Sequence, residues 1–177
     1  ISDMASELSV KRLDLLKDGS TTVVKVILPH LNFSGRSGEA TLVVHVPAAS
    51  RLEVSAVSAD ITASHLVGAQ MLRTVSGDVR SELAAAECEI KTVSGDVLLR
   101  GSGLSTALRV STVSGDVRLS HGAGTLELNS TSGDVNVELK PASALRVHTT
   151  SGDMNLQARL TRDASVEIES ISGDVML

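Results

Sequence analysis

Apolar residues return at every second position, in blocks that recur about every 19 residues from residue 52 to the end of the chain. Each block is centred on a Ser-Gly-Asp tripeptide. Its serine falls at Ser76, Ser94, Ser114, Ser132, Ser151 and Ser172, and a degenerate copy, Ser58-Ala59-Asp60, precedes them. Successive serines lie 18, 18, 20, 18, 19 and 21 residues apart. Four positions before the serine stand Val54, Leu72, Ile90, Val110, Leu128, Val147 and Ile168; six before it stand Leu52, Gln70, Cys88, Leu108, Leu126, Leu145 and Val166. Three after it stand Ile61, Val79, Val97, Val117, Val135, Met154 and Val175; five after it, Ala63, Ser81, Leu99, Leu119, Val137, Leu156 and Leu177. Mostly polar residues fill the gaps, among them Arg80, Arg118, Asn136 and Asn155. A period of two on both arms predicts half-buried strands and excludes helices.

Each repeat therefore reads as strand, corner, strand and a looser return such as Arg100-Gly101-Ser102-Gly103 or His121-Gly122-Ala123-Gly124. The corners are Gly77-Asp78, Gly95-Asp96, Gly115-Asp116, Gly133-Asp134, Gly152-Asp153 and Gly173-Asp174. Glycine reaches backbone angles that other residues avoid, and aspartate can bond backbone two residues on and hold its own turn. A unit that cannot bury its apolar face alone must stack on its neighbours. The expected fold is all-β: a repetitive β-solenoid-like stack of about seven coils of 18–21 residues with an irregular β N-terminal cap.

Two more columns support stacking. Two positions before the serine come Ala56, Thr74, Thr92, Thr112, Ser130, Thr149 and Ser170, which parity turns inward. Buried hydroxyls need partners, and a ladder of hydroxyls at coil spacing can supply them. Five positions before the serine the signs alternate through Glu89, Arg109, Glu127, Arg146 and Glu167. Neighbours one coil apart then pair with opposite charge, for about 0.2–1 kcal/mol each.

The first 50 residues are less regular. Residues 21–28 and 39–46 read as strands ended by Pro29 and Pro47, with a loop over 32–38 between them. No linker separates this part from the repeats, so residues 1–177 read as a single β-repeat domain, with 1–50 as cap and first strands and 51–177 as the repeats. The chain opens on Ile1 instead of Met, which predicts a leader removed beforehand; its close on Val175-Met176-Leu177 predicts a capping segment beyond.

Composition narrows the function. Sixteen Lys and Arg against 21 Asp and Glu give a net charge of −5, which argues against nucleic acid as a partner. One Phe, no Trp and no Tyr leave no stacking platforms for bases. Cys88 is the only cysteine, so no internal disulfide forms, and no Cys/His cluster suggests a metal. No apolar run reaches the ~20 residues a membrane span needs.

The run Val46-Pro47, Leu52-Glu53-Val54 and the serial Ser-Gly-Asp-Val units resemble the bacterial toast-rack domain family, also described as adhesin-like and of unknown function. The resemblance covers residues 40–177. It implies a β-rich repeat domain on the outer side of the membrane, periplasmic or at the cell surface, in some members beside envelope-stress signalling proteins. It carries over no catalytic residue. The leader or anchor expected of the family is not in this chain.

The candidate chemistry is sparse. The corner aspartates could hold a hard cation such as calcium, but one carboxylate per corner is too few, and turn-capping is the simpler reading. His30, His45, His65, His121 and His148 fall in different columns and form no cluster. No acid–base pair breaks the repeat, so the chain reads as no enzyme, without catalytic, cofactor or metal residues. The residue just before each serine is β-branched and points outward. Val57, Val75, Val93, Val113 and Ile171 there form an expected interaction stripe of about a few hundred Å2. The function expected is a non-enzymatic extracytoplasmic interaction domain, adhesin-like or associated with envelope stress, whose partner is a protein or cell-envelope component. The alternatives are a self-assembling structural β-solenoid and, behind it, a carbohydrate-active solenoid enzyme.

Overall fold

The computed structural model describes residues 12–18 and 21–27, as backbone, and residues 43–84 and 87–177. The chain divides into two compact units, Ile1–His45 and Val46–Leu177. In the first, β1 (Arg12–Asp18) pairs antiparallel with β2 (Thr21–Ile27). β2 matches the strand expected over 21–28, whereas β1 has no counterpart in the sequence reading. Of the strand expected over 39–46 only residues 43–46 are described; they carry no regular structure, and Val43 and Val44 are exposed. High β-propensity makes a strand only where a neighbouring ladder receives it. Pro29, residues 39–42 and the loop expected over 32–38 lie outside the described residues.

The second unit is the solenoid. Its strands are β3 (Leu52–Ser58), β4 (Ile61–Ala63), β5 (Gln70–Ser76), β6 (Val79–Leu83), β7 (Glu87–Ser94) and β8 (Val97–Gly101), followed by β9 (Thr106–Ser114), β10 (Val117–Ser132), β11 (Val135–Ser151), β12 (Met154–Ser172) and β13 (Val175–Met176). All of its ladders are parallel, and each coil lies on the next in register. The serines fix that register: Ser58 pairs with Ser76, Ser76 with Ser94, and so on to Ser151 with Ser172. One stack of strands precedes the corners and a second follows them. Together they form an all-β solenoid of about seven turns.

From β10 onward the returns are not loops. The strand runs through the bend, and slips in register between Leu119 and Thr125 absorb it. His121 takes a positive φ of 55° there, and a side chain on Gly101 would meet the His121 carbonyl oxygen at 2.2 Å. Coil-to-coil contact at the bend is backbone on backbone.

The core lies between the two stacks. Leu72, Ile90, Val110, Leu128 and Val147 are wholly buried, as period two requires. Cys88 is buried among them, and burial pushes its thiol up to about 12, so it behaves as a small apolar residue. The second coil departs from the apolar pattern twice, and the two departures meet. Gln70 and Ser81 are both buried, and the Ser81 hydroxyl donates to Gln70 Oε1 at 2.8 Å. Gln70 Nε2 donates to the Leu66 carbonyl at 3.5 Å. Two polar residues in apolar columns are tolerated because each satisfies the other.

Candidate functional site

The corners are structural, and the structure changes how they work. Gly77, Gly95, Gly115, Gly133, Gly152 and Gly173 all adopt φ between 117° and 135°. Added side chains at the last five would stand 2.2–2.3 Å from the carbonyl oxygen of the glycine one coil before. Ala59 is tolerated in the first corner because β3 is the terminal strand of the sheet, with no described coil beneath it.

The aspartates do not cap their own turns. Oδ1 of Asp60 accepts the backbone N–H of Asp78 at 2.9 Å, and Asp78, Asp96, Asp116, Asp134 and Asp153 repeat the bond to the next aspartate at 3.0 Å. At a sharp corner the ladder cannot reach that N–H, so a carboxylate from the coil below replaces the missing carbonyl. The hydroxyl column also differs from expectation. Thr92, Thr112, Ser130, Thr149 and Ser170 donate within their own coil, to the carbonyl of the corner serine, at 3.2–3.4 Å. Thr74 alone has a second acceptor one coil away, Ala59 O at 3.4 Å. The hydroxyls staple corners, and the aspartates join coils.

This occupation of the carboxylates bears on calcium. Each Oδ1 from Asp60 to Asp153 accepts an N–H, and Oδ2 of Asp78 and Asp116 pair with Arg80 and Arg118 at 2.9 and 3.0 Å. A cation would have to displace those bonds. Millimolar calcium should therefore raise the melting temperature by less than about 2 °C; a larger rise reversed by chelator would show that the column binds metal. Among the described residues no group of three or more His, Cys, Asp or Glu is placed to hold a metal ion.

The alternating charge column pairs in part. Arg109 meets Glu127 at 3.0 Å and Arg146 meets Glu167 at 2.6 Å, each one coil apart, while Glu89 turns to Lys91 in its own strand. Hydrogen bonds from Lys91, Lys140 and Arg146 hold Glu89, Glu138 and Glu167 below the usual carboxylate range. A depressed carboxylate pKa contributes stability above the unfolded-state pKa and loses it as pH falls through the folded one. These pairs are exposed, so the effect is small. Melting temperature should drop between about pH 5 and 3, and Arg146→Ala should shrink that drop. An identical acid limb in the variant would detach Glu167 from it.

The outward column just before the serine is exposed as parity demands: Val57 by 71%, Val75 by 47%, Val93 by 46%, Val113 by 48% and Ile171 by 82%. The groove follows only part of it. A groove of about 830 Å3 crosses five coils on this outer face, and of the expected stripe only Val113 and Ile171 line it. Thr131 and Thr150, which occupy the same column, line it too. Beside them runs a second row, three positions before the serine: Lys91, Ser111, Asn129, His148 and Glu169. His148 Nδ1 and Glu169 Oε2 are 2.9 Å apart, one coil from each other. The histidine is thus part of a ladder, a pairing visible in the sequence once Ser151 and Ser172 are aligned.

A family model described as Toastrack DUF4097 matches residues 8–177. Comparison with curated proteins and with solved structures finds no match.

Proposed function

This chain belongs to the Toastrack DUF4097 family, and from that premise we propose that it is a non-enzymatic interaction scaffold of the bacterial envelope, placed outside the cytoplasm, whose outer groove takes a protein or cell-envelope component. One observation carries the reading: five successive coils set their outward side chains into one continuous groove without breaking the repeat. Enzymatic sites need a local constellation of nucleophile, base and oxyanion donors. The groove offers one β-branched row, one row of mixed polar residues and a single imidazole–carboxylate pair. Placement outside the cytoplasm rests on the family resemblance alone.

The test uses Val113→Glu with Ile171→Glu, the two stripe residues that line the groove. Both side chains are outward, Val113 about half exposed and Ile171 largely so, and the fold should survive. Wild-type chain should co-sediment with washed bacterial envelopes, and the folded double variant should co-sediment several-fold less. Equal sedimentation of the two, or none for the wild type, would overturn the proposal.

A further inference from the structure

The groove favours one ligand chemistry. Its charged ends are already matched within the protein: Lys91 pairs with Glu89, and Glu169 meets His148. Between them Ser111, Asn129, Thr131 and Thr150 present hydroxyls and an amide but no charge. An ionic ligand would have to break one of these pairs, whereas an uncharged hydrogen-bonding ligand would not. The two rows also differ. Ser111, Asn129 and His148 offer hydrogen bonds, while Val113, Thr131, Thr150 and Ile171 are β-branched and carry methyl groups. The ligand should carry polar groups along one edge and C–H surface along the other.

Spacing separates the two polymers of that description. Coils stack about 4.8 Å apart, so both rows repeat at that interval. In an extended peptide, groups on one side recur every ~6.8 Å and fall out of step within two coils. In an extended β-1,4-linked hexopyranose chain each ring advances by nearly one coil rise and is turned half a revolution from the last, so like edges recur in step with every second coil, with hydroxyls at the rim and C–H on the faces.

We propose that the groove binds an uncharged β-linked glycan laid across the coils, one ring to each. This rests on the interaction reading above and names its ligand class. With no Tyr or Trp to stack on the rings, binding depends on hydrogen bonds and methyl contacts, and a dissociation constant on the order of 0.1–1 mM is expected.

The full chain, labelled with 15N, is titrated with chitohexaose and cellohexaose, and with maltohexaose as the α-linked, curved counterpart. At least one β-linked hexamer should shift the amides of residues 111–113, 129–131 and 148–150, while maltohexaose at equal concentration should not. Asn129→Leu, outward on its strand, should weaken that binding at least tenfold and leave melting unchanged; Thr131→Val repeats the test should the first variant fold poorly. No shift by either β-linked hexamer at 10 mM, equal shifts by maltohexaose, or full binding by the folded variants would overturn the glycan. Should the glycan fail while envelope association still depends on Val113 and Ile171, the scaffold reading stands and only this ligand falls.

Discussion

Gly115→Val should cost about 2–6 kcal/mol and unfold the chain at temperatures the wild type survives. Two penalties coincide at this corner. The φ of 120° is one that a side chain with a Cβ rarely takes, a strain of about 1–3 kcal/mol. The Cβ would also stand 2.3 Å from the Gly95 carbonyl oxygen, and 2.7 Å from its carbon. Both are backbone atoms, so no rotamer change relieves the contact, and overpacking adds about 1–3 kcal/mol. Valine's branch at Cβ makes it worse. Relief requires the coils to part, yet Gly95 N donates to Ser114 O at 3.3 Å and Asp116 N to Asp96 Oδ1 at 3.0 Å, and both bonds would lengthen. Gly103→Ala is the control. Gly103 also has positive φ, 79°, but nothing lies within 4 Å of an added Cβ, so only the conformational cost of about 1 kcal/mol applies. Urea unfolding of the two variants measures the difference. Similar midpoints would mean that φ alone, and not coil-to-coil approach, reserves the corners for glycine.

Parity was the legible part. Period two assigns Leu72, Ile90, Val110 and Leu128 to the core and Val57 and Val113 to the surface without knowledge of how coils stack, because a strand has only two faces. The glycine column was legible too, since its conformation is local. Contacts between coils were harder to read. Thr112 and Asp116 are both short polar residues near a corner, and either could bond within its coil or to a neighbour. Only the bend geometry sends the hydroxyl to its own serine carbonyl and the carboxylate to the next coil. Gln70 and Ser81 sit in different columns, 11 residues apart, and their pairing appears only when the two stacks face each other. The groove was least legible. Val57 and Val113 share a column and an outward direction, yet one lies outside the groove and the other lines it. The difference arises from the path of the outer face across coils, which no single repeat encodes.

Leu128→Ala tests the other consequence of stacking, that stability is graded along the solenoid. Leu128 is wholly buried, in the fifth coil, between Val110 and Val147 in adjacent coils. Truncation removes most of a buried side chain. The ladders on both sides hold the strands at fixed spacing, so the cavity cannot collapse. The cost expected is about 3–5 kcal/mol, the upper part of the range for such changes. Val166→Ala changes an apolar column in the seventh coil, where the side chain is already 43% exposed, and should cost under about 1 kcal/mol. Part of that contrast is residue size, so the sharper reading is spatial. A stack in which each coil touches only its neighbours distributes a lesion locally. Amide exchange in Leu128→Ala should therefore accelerate most in the fourth to sixth coils, falling off toward β3 and β13. A uniform acceleration over β3–β13 would show that the seven coils unfold as one cooperative block, and that nearest-neighbour stacking does not govern their stability.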